Sequence, residues 1–409
     1  MKKFVVIVLD GFGIGAMDDV AHQRPLDIGA NTCGHILQKY GLLRLPTLEK
    51  LGLINALGYQ PDNVMHPNPA ANYGNANLQH QGADSFMGHQ EIMGTRPDIP
   101  LLMPFSQVRE QVASALNKAG YQVERVAVED GLCYLRINGC VAIGDNLETD
   151  PGQVYNVTAN LDAIDFATVR TIGDIVRSQV HVGRVIVFGG NIGSNAALHN
   201  AAETRAKRYV GINAPKSGVY GHGFTVVHLG YGVDASQQTA ASLHSSGVPT
   251  VLIGKVADIV INPHGTNYQG ISDSEEIMQL TLQAVELPGQ AFICTNIQET
   301  DLAGHAENSD RYAERLQVVD GYLAQLLARL GQDDALVVMA DHGNDPTIGH
   351  SRHTREKVPL LFWRPGVQGI YLGERSTLAD VGATVCDAFG APAPQNGHSF
   401  FPQMNKGQP

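Results

Sequence analysis

Short apolar runs that end in acidic or imidazole side chains constrain this chain more than any other feature. Val5–Leu9 leads into Asp10, Phe292–Cys294 into Glu299, Asp301 and His305, and Leu336–Ala340 into Asp341 and His342. Such runs between turn formers read as buried strands, and the patterns at Ala113–Ala119, Glu276–Val285 and Arg311–Leu330 read as helices between them. The alternation predicts an α/β fold with a largely parallel sheet. In an open parallel sheet the carboxyl ends of the strands form the ligand edge, so the acidic groups should converge on one rim. Carboxylates gathered there repel one another unless cations lie among them. Imidazole together with carboxylate suits Zn, Mn, Fe or Co better than calcium. A single Asp after a strand is commonly a turn former or a helix N-cap. Recurrence at three strand ends, with His353 a short loop beyond Asp341-His342, favours a metal centre instead.

The clearest strands are Phe4–Leu9, Arg184–Phe188, Thr250–Ile253, Ala291–Cys294 and Ala335–Ala340. From about Met103 to Gly218 the texture changes and the Asp and His clusters thin out, which points to an inserted domain. Residues 1–102 and 219–409 then form a discontinuous catalytic core around an insert at 103–218, with turn-rich hinges at Thr95–Pro104 and Asn213–Gly223. The formal net charge of −12 argues against a general nucleic-acid binder. If the substrate is a phosphate ester, metal ions must supply the local positive field. The apolar run at the N-terminus stops at Asp10 and reads as a strand rather than a signal peptide, and no segment is long enough to span a bilayer. Five scattered cysteines form no Cys-x-x-Cys pair, so a reducing cytoplasm is the expected home.

The candidate nucleophile lies in Gln81-Gly82-Ala83-Asp84-Ser85-Phe86-Met87-Gly88-His89-Gln90-Glu91-Ile92. A serine hydroxyl is a poor nucleophile at neutral pH, but an adjacent metal ion lowers its pKa, and a helix N-terminus helps to hold a phosphate. Asp84 reads as the cap of that turn. His35, His89 and His350 are candidates to orient phosphate or first-sphere carboxylates, and Lys255, after a predicted strand, is a candidate to reach a phosphate.

With these residues in view, the chain resembles the alkaline phosphatase superfamily and, within it, the phosphopentomutases. The matching segments are Val8 through Gly15, Gly29 through Ile36, Asp84 through Gly94, Ile253-Gly254-Lys255, Asp341 through Thr347, His353-Thr354-Arg355-Glu356 and Ala379 through Thr384. The resemblance implies an alkaline-phosphatase-like core, with helices on both faces of the sheet, and an inserted α/β cap domain. It implies two divalent ions, commonly Mn2+ with Mg2+ or Zn2+ as alternatives. One would be held by Asp10, Asp341 and His342 beside Ser85, the other by Asp301, His305 and His353. The implied reaction moves a phosphoryl group between two oxygens of a small phosphosugar through a phosphoserine, and a closing cap would keep water from the intermediate.

Departures from the family pattern bear on substrate. Ser85 and Met87 stand where the family carries two threonines, and Asp301-Leu302-Ala303-Gly304-His305 resembles the shorter spacing of cofactor-independent phosphoglycerate mutases. The cap segments that should hold the sugar phosphate read Val187-Phe188-Gly189-Gly190-Asn191 and Gly211-Ile212-Asn213-Ala214-Pro215-Lys216, without the family's arginines. Lys216, Arg205 or Arg208 are the candidate replacements, although lysine is a point charge where arginine offers a fork. A phosphomonoesterase of the same superfamily is therefore a second expectation. A metal-bearing pseudoenzyme that binds a phosphorylated ligand or a protein partner is a third.

Overall fold

The computed structural model describes residues 1–129, 131–148 and 152–404. The chain divides into two compact units, Met1–Pro97 with Asp234–Pro409, and Asp98–Val233.

The first unit is built on eight strands: β1 (Lys3–Leu9), β2 (Asn72–Ala76), β3 (Thr250–Ile253), β4 (Thr266–Tyr268), β5 (Ala291–Ile297), β6 (Ala335–Met339), β7 (Val358–Trp363) and β8 (Tyr371–Arg375). Their order is β4-β3-β5-β1-β6-β7-β2-β8. Pairing is parallel from β4 through β6 and between β2 and β8, and antiparallel on both sides of β7. Seven strands therefore share one direction and β7 alone is reversed, which agrees with the α/β, largely parallel expectation. Strands β1, β5 and β6 are buried along their whole length. They accordingly read as unbroken apolar runs rather than alternating ones. Each fully buried Val, Ile or Phe among them contributes about 1.5–3 kcal/mol.

Helices relevant to the site are α1 (Thr32–Lys39), α2 (Ser85–Ile92), α3 (Gln298–His305) and α4 (Ser309–Arg329). Helix α2 begins on its cap, because the Asp84 side chain accepts from the Met87 N–H. Helix α4 is amphipathic, burying Tyr312, Leu316, Val319, Leu323 and Leu326 at helical spacing.

The second unit carries a six-stranded sheet in the order Thr225–Gly230, Arg184–Gly190, Val154–Asn160, Val141–Asp145, Leu132–Ile137 and Val123–Glu129. Helices Arg109–Lys118 and Phe166–Gln179 bury their apolar faces in its core. The insert expected over 103–218 sits inside this unit, whose limits are Asp98 and Val233. The added length has a physical cause: Thr225–Gly230 pairs antiparallel with Arg184–Gly190 through six residues, so the chain does not leave that sheet at 218. Residues 405–409, part of the expected core, lie outside the described set.

Candidate metal centre

Strand direction delivers the candidate side chains to one edge of the first unit's sheet. Asp10 follows β1, Lys255 follows β3, α3 follows β5, and Asp341-His342 follows β6. Because β7 is reversed, its start lies at that same edge, and the residues just before it are His353 through Glu356. Helix α2, with Ser85 in its first turn, follows β2.

Six of the candidates fall into two groups of three, Asp10 with Asp341 and His342, and Asp301 with His305 and His353. Within each group the donor atoms lie within 4.8 Å of one another. The first group is wholly buried, whereas His305 in the second is exposed.

The imidazoles explain what these groups lack. His342 Nδ1 lies 2.9 Å from the Gly343 carbonyl, His305 Nδ1 2.7 Å from the Ser351 carbonyl and His353 Nδ1 2.8 Å from the Ala83 carbonyl. A carbonyl can only accept, so each Nδ1 carries the ring proton and each Nε2 of a neutral ring is a bare lone pair. Those lone pairs point at carboxylates. His342 Nε2 is 3.4 Å from Asp10 Oδ1 and 3.3 Å from Asp341 Oδ2. His305 Nε2 and His353 Nε2 lie 3.4 and 3.3 Å from Asp301 and 2.9 Å from each other. Among the described residues, Asp10 Oδ1 and His342 Nε2 are buried without a hydrogen-bond partner. Imidazole nitrogens and carboxylate oxygens converging in this way fit a cation at the focus of each group.

Lys255 brings a fixed positive charge to both groups. Lys255 Nζ donates to Asp10 Oδ2 at 2.9 Å and to Asp301 Oδ2 at 3.4 Å, so it ties one group to the other. Burial pulls the Lys255 pKa down, but Asp10, Asp301 and Asp341 outweigh it and raise it above the ordinary lysine range. Burial likewise opposes a charge on His342, yet Asp341 and Asp10 push it up to about 10. A divalent ion would provide the same compensation and displace that proton.

Ser85 is buried, and its Oγ donates to Asp341 Oδ2 at 2.9 Å. The approach is close because residue 88 is glycine: a Cβ there would stand 2.8 Å from the Asp341 carbonyl oxygen. His89 is fully buried on the same helix, with Nδ1 2.9 Å from the Ser85 carbonyl and 3.2 Å from Asp341 Oδ2. Its Nε2 lies 2.9 Å from Asn296 Nδ2.

Other candidates are placed elsewhere. His35 Nδ1 contacts Asp345 Oδ2 at 2.6 Å, and His350 Nε2 lies 3.3 Å from Asp27 Oδ1. Glu299 turns away to Arg311 and Arg315 and accepts from the Ser274 N–H. Lys216, in the second unit, is exposed and pairs with Glu203 at 2.6 Å, while the Arg208 guanidinium lies over the Tyr209 ring.

Three residues that the sequence reading passed over support the edge. Glu356 is fully buried and accepts from the Gly15 and Thr32 N–H groups and from the Thr32 and Thr354 hydroxyls. A Cβ at Gly13 or Gly343 would collide with it, so the glycines around the motifs are the available signal. Glu91 receives the His80 ring, the Thr377 hydroxyl and the Gln79, His80 and Leu378 N–H groups, which anchors the far end of α2. Asn344 donates to Asp301 Oδ1 at 2.8 Å.

A family model described as Metalloenzyme superfamily matches residues 2–393. The phosphopentomutase of Symbiobacterium thermophilum is 30% identical over 99% of this chain and 99% of its own. That of Levilactobacillus brevis is 31% identical over 98% of this chain and 99% of its own. That of Caldanaerobacter subterraneus subsp. tengcongensis is 29% identical over 99% and 98%.

Proposed function

Because the chain belongs to the metalloenzyme superfamily and, within it, to the phosphopentomutase family, we propose that it interconverts positional phosphate isomers of a small phosphosugar through a phosphoserine at Ser85. The observation that carries this reading is the set of three imidazole Nε2 atoms aimed at buried carboxylates beside a serine hydroxyl.

Asp10, Asp341 and His342 would hold one divalent ion, and Asp301, His305 and His353 the other, manganese being the first choice. Bound there, the ions would supply the positive field that screens the transferring phosphoryl group and favours the ionised serine. The residues of the chain do the rest. Phosphorylated Ser85 gives its phosphoryl group to the free hydroxyl of the sugar monophosphate: the Oγ–P bond breaks as the new O–P bond forms, and the hydroxyl proton ends on Ser85 Oγ. The resulting bisphosphate returns its other phosphoryl group to Ser85, leaving the isomer. Asp341 Oδ2 accepts the hydrogen bond of the resting hydroxyl and so aims the Oγ lone pairs. The positive end of the α2 dipole lies at the same atom. Lys255 holds Asp10 and Asp301 in place. The second unit we assign the role of a cap that retains the bisphosphate.

Phosphomonoesterase activity is the second reading, motivated by the second unit. One of the cations expected to replace the family's arginines, Lys216, is already paired with Glu203. Poor retention would let water complete the reaction. A pseudoenzyme would keep the ligand groups without turnover. A panel of pentose phosphates and small phosphoesters, assayed with manganese for isomer and inorganic phosphate in parallel, separates the three. Isomer without phosphate release, with phosphoserine at Ser85 by mass spectrometry, is the expected result. Phosphate alone would establish the hydrolase, and no turnover on any substrate would end both enzymatic readings.

A further inference from the structure

Arg355 is buried two residues beyond His353, and every hydrogen of its guanidinium is engaged within the first unit. Nε donates to Asp19 Oδ1 at 2.8 Å, and Nη2 donates to Asp19 Oδ2 at 2.8 Å and to the Leu78 carbonyl at 3.0 Å. Nη1 donates to the His80 carbonyl at 2.6 Å and to the Gly82 carbonyl at 2.7 Å. Five N–H groups thus meet five acceptors, which leaves none for a substrate, and Asp19 balances the charge. The three carbonyls belong to alternate residues of the connection between β2, which ends at Ala76, and α2, which begins at Ser85. His353 Nδ1 lies 2.8 Å from the next carbonyl, that of Ala83. On the N–H side of the same connection, Glu91 accepts from Gln79 and His80. The phosphoryl transfer described above gives Arg355 no task.

Resting on the reading of Ser85 as the nucleophile, we propose that Arg355 is a positioning residue: it holds the connection 77–84 by its carbonyls and so fixes where Ser85 stands relative to His353. Backbone outside a ladder must find other partners for its carbonyls, and the end of a helix frays unless the entering chain is held. Here the donors of one side chain take the place of a ladder. A guanidinium suits this task because it is a rigid planar fork, whereas a lysine ammonium groups three donors around one atom and cannot span Leu78 to Gly82. Arg355 and His353 share one short segment, so a shift of that segment moves the second ligand group and the approach to Ser85 together. In-line transfer is sensitive to such registration, a displacement of about 1 Å costing roughly 10²-fold.

The first measurement needs neither turnover nor a variant. In the metal-free full chain labelled with 15N-arginine, the terminal N–H groups of Arg355 should give separate signals, because a guanidinium bonded on all sides cannot rotate freely. Averaged signals of a turning group overturn the proposal, even if every Arg355 variant fails to fold. Arg355→Lys keeps the charge and loses the fork. Hydrogen exchange in that variant should quicken by about 10-fold or more across residues 77–85, with β1 and β5 unchanged. With manganese and ribose 5-phosphate, its kcat should fall about 10–100-fold while KM changes less than about 3-fold, since no donor of Arg355 is left for the substrate. Unchanged exchange across 77–85 overturns the positioning role. Exchange quickened equally in β1 and β5 also overturns it, because Arg355 would then serve only the stability of the fold. So does a rise in KM that exceeds the fall in kcat, which would mark a substrate contact. Resolved signals and local exchange in a chain that turns over no phosphoester would count against the proposed function and leave the hold on the connection standing.

Discussion

The ligand edge of the first unit and the interior of the second treat buried polarity in opposite ways. At the edge, Asp10, Asp301 and Asp341 are buried with Lys255 as the nearby fixed cation, and imidazole lone pairs are turned toward the carboxylates rather than away from them. In the second unit, several buried polar groups are paired with neutral neighbours. Asn146 donates to Asn156, Asn160 donates to Asn195, and Asp145 accepts from the Phe105 and Val210 N–H groups. Several cations there sit at the surface beside acids, as in Arg125 with Glu110 and Lys216 with Glu203, while Arg177 is half-buried against the Val180, Val182 and Leu229 carbonyls. The contrast is what the proposed metal groups would require, buried carboxylates and imidazoles arranged for positive charge beyond that of Lys255. An arrangement that is costly for an isolated protein is what a metal site requires.

The comparison is broken most severely at Ser85. Ser85→Ala should abolish phosphoserine formation and lower turnover on the order of 10⁴-fold or more, measured with saturating manganese. If the variant keeps full activity, the nucleophile is elsewhere. Next come the ligand groups themselves. Asp301→Asn should reduce manganese affinity beyond the roughly 10–100-fold that an outer-sphere partner costs, read by calorimetry, while leaving the first group able to bind. Equal loss at both groups would mean that they are one site.

A smaller effect belongs to the second unit. Burial pushes the Asp145 carboxyl up to about 6, partly offset by the Val210 and Phe105 N–H groups. Its folded pKa thus lies above the unfolded value of about 3.9. The folded state holds the proton more tightly, so its contribution to stability is complete below about pH 4 and is lost as pH rises through about 6. The loss amounts to about 3 kcal/mol at most. Denaturant melts of the chain from pH 4 to 7 should show this slope for the unfolding step of the second unit, and Asp145→Asn should flatten it. Smallest of all is Lys216→Ala. An exposed lysine paired with Glu203 is worth about 0–1 kcal/mol, so turnover and KM for a phosphosugar should change less than about 3-fold. A large rise in KM would make Lys216 a phosphate contact and erase the distinction between the two regions.

How much of this could be read from sequence follows the same division. Asp10, Asp341 and His342 were legible because each ends a run that could only be a buried strand, and strand ends of a parallel sheet share an edge. His353 was legible only by proximity in sequence. Its arrival at the edge depends on the reversal of β7, which no local pattern announces. Glu91 and Glu356 were missed because a buried carboxylate declares itself through donors distant in sequence. The boundary of the second unit was placed at 218 from turn composition, whereas it is set by a strand pairing that composition does not encode.

The most direct test of the central claim, that this edge holds two divalent ions in two separate groups, is an anomalous difference map from crystals of the protein grown with manganese. The account predicts two peaks, one among Asp10, Asp341 and His342 and the other among Asp301, His305 and His353. A map with no peak at either group, or with a single peak outside both, would contradict it.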